Sequence, residues 1–243
     1  MLKEIDDVPD VPDVSIGWYR DVVGFAQGTP SWVRDWAEIG TDAIPALMAA
    51  LFAVVLWRAW RGADRPGVGR SGADRWGSDR WGSDQGGAGQ GGAGRPDPRA
   101  LALALLGPVA TVTAYLCSEL IKSILRMPRP CWLSGETLII ATCPEAGDWS
   151  LPSNHATFAA AAATALVIAW RRMIVIAPAL AVIAAASRVF VGVHYPHDVA
   201  VGFLLGVIVA SLVMAALLTP ATALVARLLT RLTPQRPARH RIR

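Results

Sequence analysis

Five apolar runs, each close to the length a helix needs to cross a bilayer, dominate this chain of 243 residues. They fall at about Thr41–Trp60, Arg99–Ile121, His155–Trp170, Met173–Val191 and Val199–Leu218. A helix rises about 1.5 Å per residue, so roughly 20 apolar residues cover about 30 Å of hydrocarbon. The bilayer core offers no water to backbone N–H and C=O groups, and a helix satisfies them within its own segment. A content of 53% hydrophobic residues is too apolar for an ordinary soluble domain. The expected fold is therefore all-α: a polytopic membrane helix bundle of about five transmembrane helices. An N-terminal interfacial helix is expected before them, because Trp32, Trp36 and Ile39 recur at helical spacing. Small residues crowd the third and fourth runs, at 159–163 and 184–186, and would let neighbouring helices approach closely.

The organisation that follows has an acidic tail with the interfacial helix over 1–40 and the first span over 41–60. A linker covers 61–99, a core of four spans 100–218, and a basic tail 219–243. The linker repeats Asp-Arg-Trp-Gly-Ser and then Gln-Gly-Gly-Ala-Gly, a composition that cannot bury a core, and it is expected to be a disordered tether. The N-terminal Val-Pro-Asp repeats are expected to be unstructured as well. No cleavable leader is expected, since the first apolar run begins only near Ala43. With five spans, the arginines of the linker, the Arg171-Arg172 turn and the arginine-rich tail all fall on one side, which the positive-inside rule makes the cytoplasm. The opposite side receives Glu4, Asp6, Asp7, Asp10 and Asp13. A net charge of +4 and a pI near 9.3 follow from that orientation, and no basic run interleaved with aromatics points to nucleic acid.

Chemistry-bearing residues gather at the same ends of their apolar runs. Lys122 and Arg129-Pro130 follow the second; Ser153, Asn154 and His155 open the third; Arg188 closes the fourth; His194 and Asp198 precede the fifth. Arginine offers phosphate oxygens a planar fork and lysine a compact point charge, so three cations suit a dianion and the charge that develops during its transfer. Neither cation can attack phosphorus, whereas a neutral histidine can, and Asp198, four residues on, suits the orienting of His194. His155 suits protonation of a leaving oxygen. Taken singly, a cation at a span end is usually an anchor and a histidine there is usually a hydrogen-bonding group; their convergence favours a site. Glu119, one turn before Lys122, either pairs with it or is simply hydrated, and Arg126 lies in the same stretch as a supporting cation. Cys131 and Cys143 share one loop, where an oxidising compartment permits a disulfide and two unrelated thiols are the alternative. Cys117 reads as packing. No paired Cys or His spacing suggests a metal, and no cofactor is expected.

The pattern resembles, element for element, the type 2 phosphatidic acid phosphatase superfamily, whose signature reads KxxxxxxRP, PSGH and SRxxxxxHxxxD. Lys122 to Pro130, Pro152-Ser153-Asn154-His155 and Ser187-Arg188 to His194 to Asp198 match in order, with Asn154 where the family usually has glycine. Asparagine tolerates a left-handed backbone best among the other residues, so the turn is expected to survive with its N–H on the phosphate. The resemblance implies a metal-independent lipid phosphatase with His194 as nucleophile, Asp198 as its orienting partner and His155 as acid and then base. Lys122, Arg129, Ser153, the Asn154 backbone and Arg188 would hold the phosphate. Ser153 is also expected to cap the third span and aim its dipole at the anion. The likeness is strongest to the bacitracin-resistance type of undecaprenyl-diphosphate phosphatases, which implies a bacterial multi-pass membrane protein with an outward site acting on a polyprenyl diphosphate. Phosphatidylglycerophosphate or phosphatidic acid is the alternative substrate. A transporter would place its charges near the midplane, and a vanadate-dependent haloperoxidase would be soluble. His197 is expected to be a bystander.

Overall fold

The computed structural model describes residues 11–62, 96–134 and 139–232. Its helices are α1 (Asp13–Gln27), α2 (Ser31–Trp60), α3 (Pro98–Leu125), α4 (Pro130–Ser134), α5 (Asn154–Ala169), α6 (Ile176–Phe190) and α7 (Pro196–Leu232), with a 3-10 turn at Arg171–Met173. No strand occurs among the described residues. The linker expected over 61–99 lies mostly outside them.

Helix α5 is the axis of the bundle. Its alanines 156, 159, 161, 162 and 165 have no exposed surface, and α2, α3, α6 and α7 close around it. The α7 contact is the tightest. A Cβ on Gly202 would stand 2.5 Å from the carbonyl oxygen of Ser153, and one on Gly206 would stand 2.3 Å from that of Thr157. This pair, four residues apart on one face of α7, lets the two backbones touch where α5 begins. On the outer face of α3, Leu105, Val109, Val112, Leu116 and Leu120 are exposed at helical spacing, an apolar stripe suited to lipid.

Several expectations change. Among the described residues, only α2, α3 and α7 are long and apolar enough to span a membrane by themselves. Helix α5 has 16 residues and α6 has 15, so each reaches only about 22–24 Å. Both apolar runs lose residues to the site at one end and to the Arg171–Met173 turn at the other. Trp32, Trp36 and Ile39, expected on a helix ahead of the first span, are exposed residues on the first turns of α2, which is continuous from Ser31, and a separate helix, α1, precedes it. The N-terminal segment is not unstructured from Val11 onward. Val11, Ile16, Tyr19 and Val23 pack against Val189 and Tyr195, and α1 is held by that burial. Finally, α7 continues to Leu232, so the expected tail begins as helix.

Candidate active site

Four helix ends meet at one end of the bundle, where α3 and α6 stop and α5 and α7 start. At the end of α3, Arg126 adopts a left-handed conformation with φ 50°, which turns the chain so that Arg129 points back inward. Arg126 itself stays out of the site, its Nε donating to the carbonyl of Ser123 at 3.1 Å. Lys122 and Arg129 are buried, and they line an open cleft of about 390 Å³ together with Asn154, His155, Arg188 and His194. Cys131 and Cys143 are joined by a disulfide that ties α4 to the loop returning toward α5.

His194 is 1% exposed, in the turn between α6 and α7. Its Nε2 lies 2.9 Å from Nη1 of Arg129, a group that also donates to the carbonyl of Val193 at 3.1 Å. Its Nδ1 lies 3.5 Å from Oδ2 of Asp198. That carboxylate is fixed at Oδ2 by two hydrogen bonds, while its Oδ1 is buried without a hydrogen-bond partner. The Ser150 hydroxyl donates to Oδ2 at 2.5 Å, the Tyr195 N–H donates to the same oxygen at 2.9 Å, and Nε2 of His197 stands 3.1 Å from Oδ1. Ser150 also reaches Nδ1 of His194 at 3.4 Å, so it sits between the two. Burial, with the guanidinium charges of Arg129 and Arg188, pushes the His194 imidazole down to about 3 against the opposing pull of Asp198. The ring is then neutral and nucleophilic at any pH the membrane surface normally meets.

The start of α5 differs from expectation in two respects. Asn154 is helical, and Arg126 is the only non-glycine residue with positive φ among the described residues, so glycine-like backbone freedom is not what this position uses. Its side chain is used instead. The amide oxygen accepts from the hydroxyl of Ser118 at 2.7 Å and the amide nitrogen donates to the Glu119 carboxylate, which fastens α5 to α3. Ser153 holds the N-cap position without a capping bond from its side chain, and its Oγ is buried with no hydrogen-bond partner. The Nε of Arg188 is likewise buried and unpartnered. Glu119 lies 3.9 Å from Lys122, within ion-pair reach. His155 is 33% exposed in its side chain, with Nε2 at 3.4 Å from Oδ1 of Asp42 on α2.

Four polar residues of this end are additional to the expected site residues. Asp148 bridges Lys122 and Arg129, Ser150 bridges His194 and Asp198, Asp42 faces His155, and His197 is tied by Nδ1 to the Ser15 hydroxyl at 2.7 Å. His197 thus stands between α1 and Asp198 and takes no part in the contacts of the cleft. Ser150 and Asp148 precede the second motif by a few positions, and that proximity was the available hint. Among the described residues no group of His, Cys, Asp and Glu is arranged to hold a metal.

Comparison with known proteins agrees with this geometry. A family model described as the PAP2 superfamily matches residues 102–220. An undecaprenyl-diphosphatase of Sulfolobus acidocaldarius is 33% identical over 99 residues, which are 40% of this chain and 47% of that protein. A decaprenylphosphoryl-5-phosphoribose phosphatase of Mycobacterium tuberculosis is 33% identical over 129 residues, 46% of this chain and 68% of that protein. The chain thus spans about half of the first relative and two thirds of the second. The crystal structure of a PAP2 type phosphatidylglycerolphosphate phosphatase from Bacillus subtilis superposes with a TM-score of 0.52 at 19% identity, covering 84% of this chain and 86% of that one.

Proposed function

The chain belongs to the PAP2 superfamily and has the fold of a membrane phosphatase, and from that premise we propose that it is a phosphate-ester hydrolase that converts a polyprenyl diphosphate to the monophosphate through a phosphohistidine. The observation that carries this reading is the contact of Arg129 with Nε2 of His194, because it puts the attacking nitrogen beside a cation suited to hold phosphate. In the first step the Nη1–H of Arg129 passes from Nε2 to a phosphate oxygen and frees the ring lone pair, Nε2 attacks phosphorus, the bond from phosphorus to the leaving oxygen breaks, and protonated His155 gives that oxygen its proton. In the second, His155 takes a proton from water, the oxygen attacks the phosphohistidine, and inorganic phosphate leaves. Lys122, Arg129 and Arg188 hold the phosphate oxygens, joined by the unpartnered Ser153 hydroxyl and the N–H groups at the start of α5. Asp198 stabilises the imidazole during attack.

Both relatives named for their activity act on polyprenyl-linked phosphates, which supports the lipid class. The relative covered over 68% of its length acts on a phosphate carried by a lipid-linked pentose, and this favours a phosphomonoester as the second reading. The positive-inside rule puts the cleft on the extracytoplasmic face of a cell membrane, suited to carrier-lipid recycling for wall synthesis. Cysteine labelling on intact cells tests the orientation: Ser134–Gly147 should react from outside, and Gly86–Gly94 only after permeabilisation. Substrate choice is tested with the purified protein in detergent and EDTA, against polyprenyl diphosphate, polyprenyl monophosphate, polyprenyl-phosphoryl-pentose phosphate and phosphatidylglycerophosphate. Fastest release from a glycerolipid would overturn the polyprenyl reading.

A further inference from the structure

Two of the three cations in the cleft are already matched by a carboxylate of the chain itself. Oδ1 of Asp148 lies 2.7 Å from Nζ of Lys122 and 2.9 Å from Nη2 of Arg129, and Asp148 lines the same cleft as Arg188 and His194. These are the distances and donors that a phosphate oxygen would take. Lys122 is 3% exposed and Arg129 is 2% exposed, and buried cations with no counter-charge are costly. An empty cleft therefore needs an anion, whereas a filled one has two anions contending for the same N–H groups.

The side chain of Asp148 is able to yield. Its carboxylate is 48% exposed. The main chain, by contrast, is pinned. The Asp148 carbonyl accepts from Nε of Arg129 at 2.5 Å, its N–H donates to Glu145 at 3.2 Å, and the Ser150 N–H donates to Met127 at 2.8 Å. Rotation about the side-chain bonds can remove the carboxylate without moving the loop that carries Ser150. Burial alone would raise the Asp148 carboxyl, but the Lys122 hydrogen bond and the Arg129 charge outweigh it and hold it below the usual carboxylate range, so the anion is present at neutral pH.

We propose that Asp148 is a resident competitor for the phosphate site: it occupies Lys122 and Arg129 when the cleft is empty, rotates toward solvent when the substrate phosphate enters, and returns as inorganic phosphate leaves. The proposal rests on the reading of the cleft as a phosphate cradle. Its consequence is selective. Displacing the carboxylate weakens binding of every phosphate alike, but a lipid substrate keeps the anchorage of its tail while free phosphate has no other hold. Ground-state affinity for the phosphate alone adds nothing to turnover, so the site gives up what would otherwise become product inhibition. The rival role is a fixed organiser, in which the carboxylate stays and positions the two cations for substrate.

The two roles predict opposite signs. With the full chain in detergent, hydrolysis of polyprenyl diphosphate is followed by its lipid product while inorganic phosphate is added as inhibitor. Asp148→Asn should lower the inhibition constant of inorganic phosphate by about tenfold, the worth of one charged hydrogen bond, and lower KM with it. An unchanged or higher inhibition constant would overturn the proposal. Because loss of a counter-charge can lower stability, the thermal midpoint is read as well: inorganic phosphate should raise it further in Asp148→Asn than in the native protein. An equal or smaller rise would also count against it. If the native protein neither hydrolyses the lipid nor responds to phosphate, the cradle reading falls and the competitor falls with it. If the native protein does both and the variant binds phosphate no tighter, only the competitor role is lost.

Discussion

His194 and His155 share one cleft and are restrained in opposite ways. His194 is 1% exposed, contacted on Nε2 by Arg129 and backed on Nδ1 by Ser150 and Asp198, the latter held by the Ser150 hydroxyl and the Tyr195 N–H. His155 has a side chain 33% exposed and a single long contact to Asp42, whose own side chain is 87% exposed. A nucleophile gains from a fixed direction and from staying neutral, and dry, crowded surroundings supply both. A group that gives up a proton and takes one back gains from contact with water. His194 is thus the drier and more tightly held of the two, and the roles proposed for them can be broken separately.

The largest effect is expected at the buried histidine. His194→Ala should reduce turnover by ~10⁴-fold or more, and rapid quench with labelled lipid diphosphate should no longer trap a phosphoprotein. Release at near-native rate would remove the phosphohistidine from the mechanism. Asp198→Asn should cost ~10²- to 10⁴-fold, chiefly in kcat, because the ring loses the charge that stabilises it as it attacks. A change confined to KM would mean that Asp198 only shapes the pocket.

The water-facing histidine should show its role through the leaving group. His155→Ala should lose ~10²-fold or more on a lipid alcohol or lipid monophosphate leaving group and much less on an aryl phosphate, whose oxygen leaves with little protonation. Equal losses on both would show that His155 positions phosphate or serves the second step instead.

Burial of His194 also sets a pH dependence of stability. Its folded-state value of about 3 lies below the ordinary 6.5, so between these values the unfolded chain holds a proton that the folded chain does not. Stability from this group should therefore be full above about pH 6.5 and fall as the pH drops toward 3. Thermal midpoints at pH 7 and 4.5 should differ less in His194→Gln than in the native protein. An identical slope would show that His194 does not carry the effect.

The same contrast explains what was legible in the chain. Apolar length announces a membrane helix, and motif spacing announces residues such as Lys122, Arg129 and His194 that sit at helix ends. It does not announce partners brought in from elsewhere: Asp42 comes from α2, and Ser15 from a helix whose amphipathic spacing of Ile16, Tyr19 and Val23 is short and set among charges. Asn154 shows the limit of a backbone argument. The residue was read for its tolerance of a left-handed turn, while its amide bonds to Ser118 and Glu119 are what its position uses. The alanine-rich run of α5 is buried among helices, so its length answers to the depth of the site as much as to the thickness of a bilayer.

Asp42→Asn should give the smallest effect, and its pattern matters more than its size. The contact to His155 is 3.4 Å long and the carboxylate is largely in water, where such a pair is worth little. A loss of about two- to fivefold is expected. If Asp42 supports His155 as acid, that loss should appear on the lipid phosphate and vanish on an aryl phosphate, and in a His155→Ala background the second substitution should change nothing. If Asp42 contacts the substrate instead, the loss should persist in that background and appear in KM. The double variant therefore separates a carboxylate acting through histidine from one acting on lipid, even though the single variant is nearly normal.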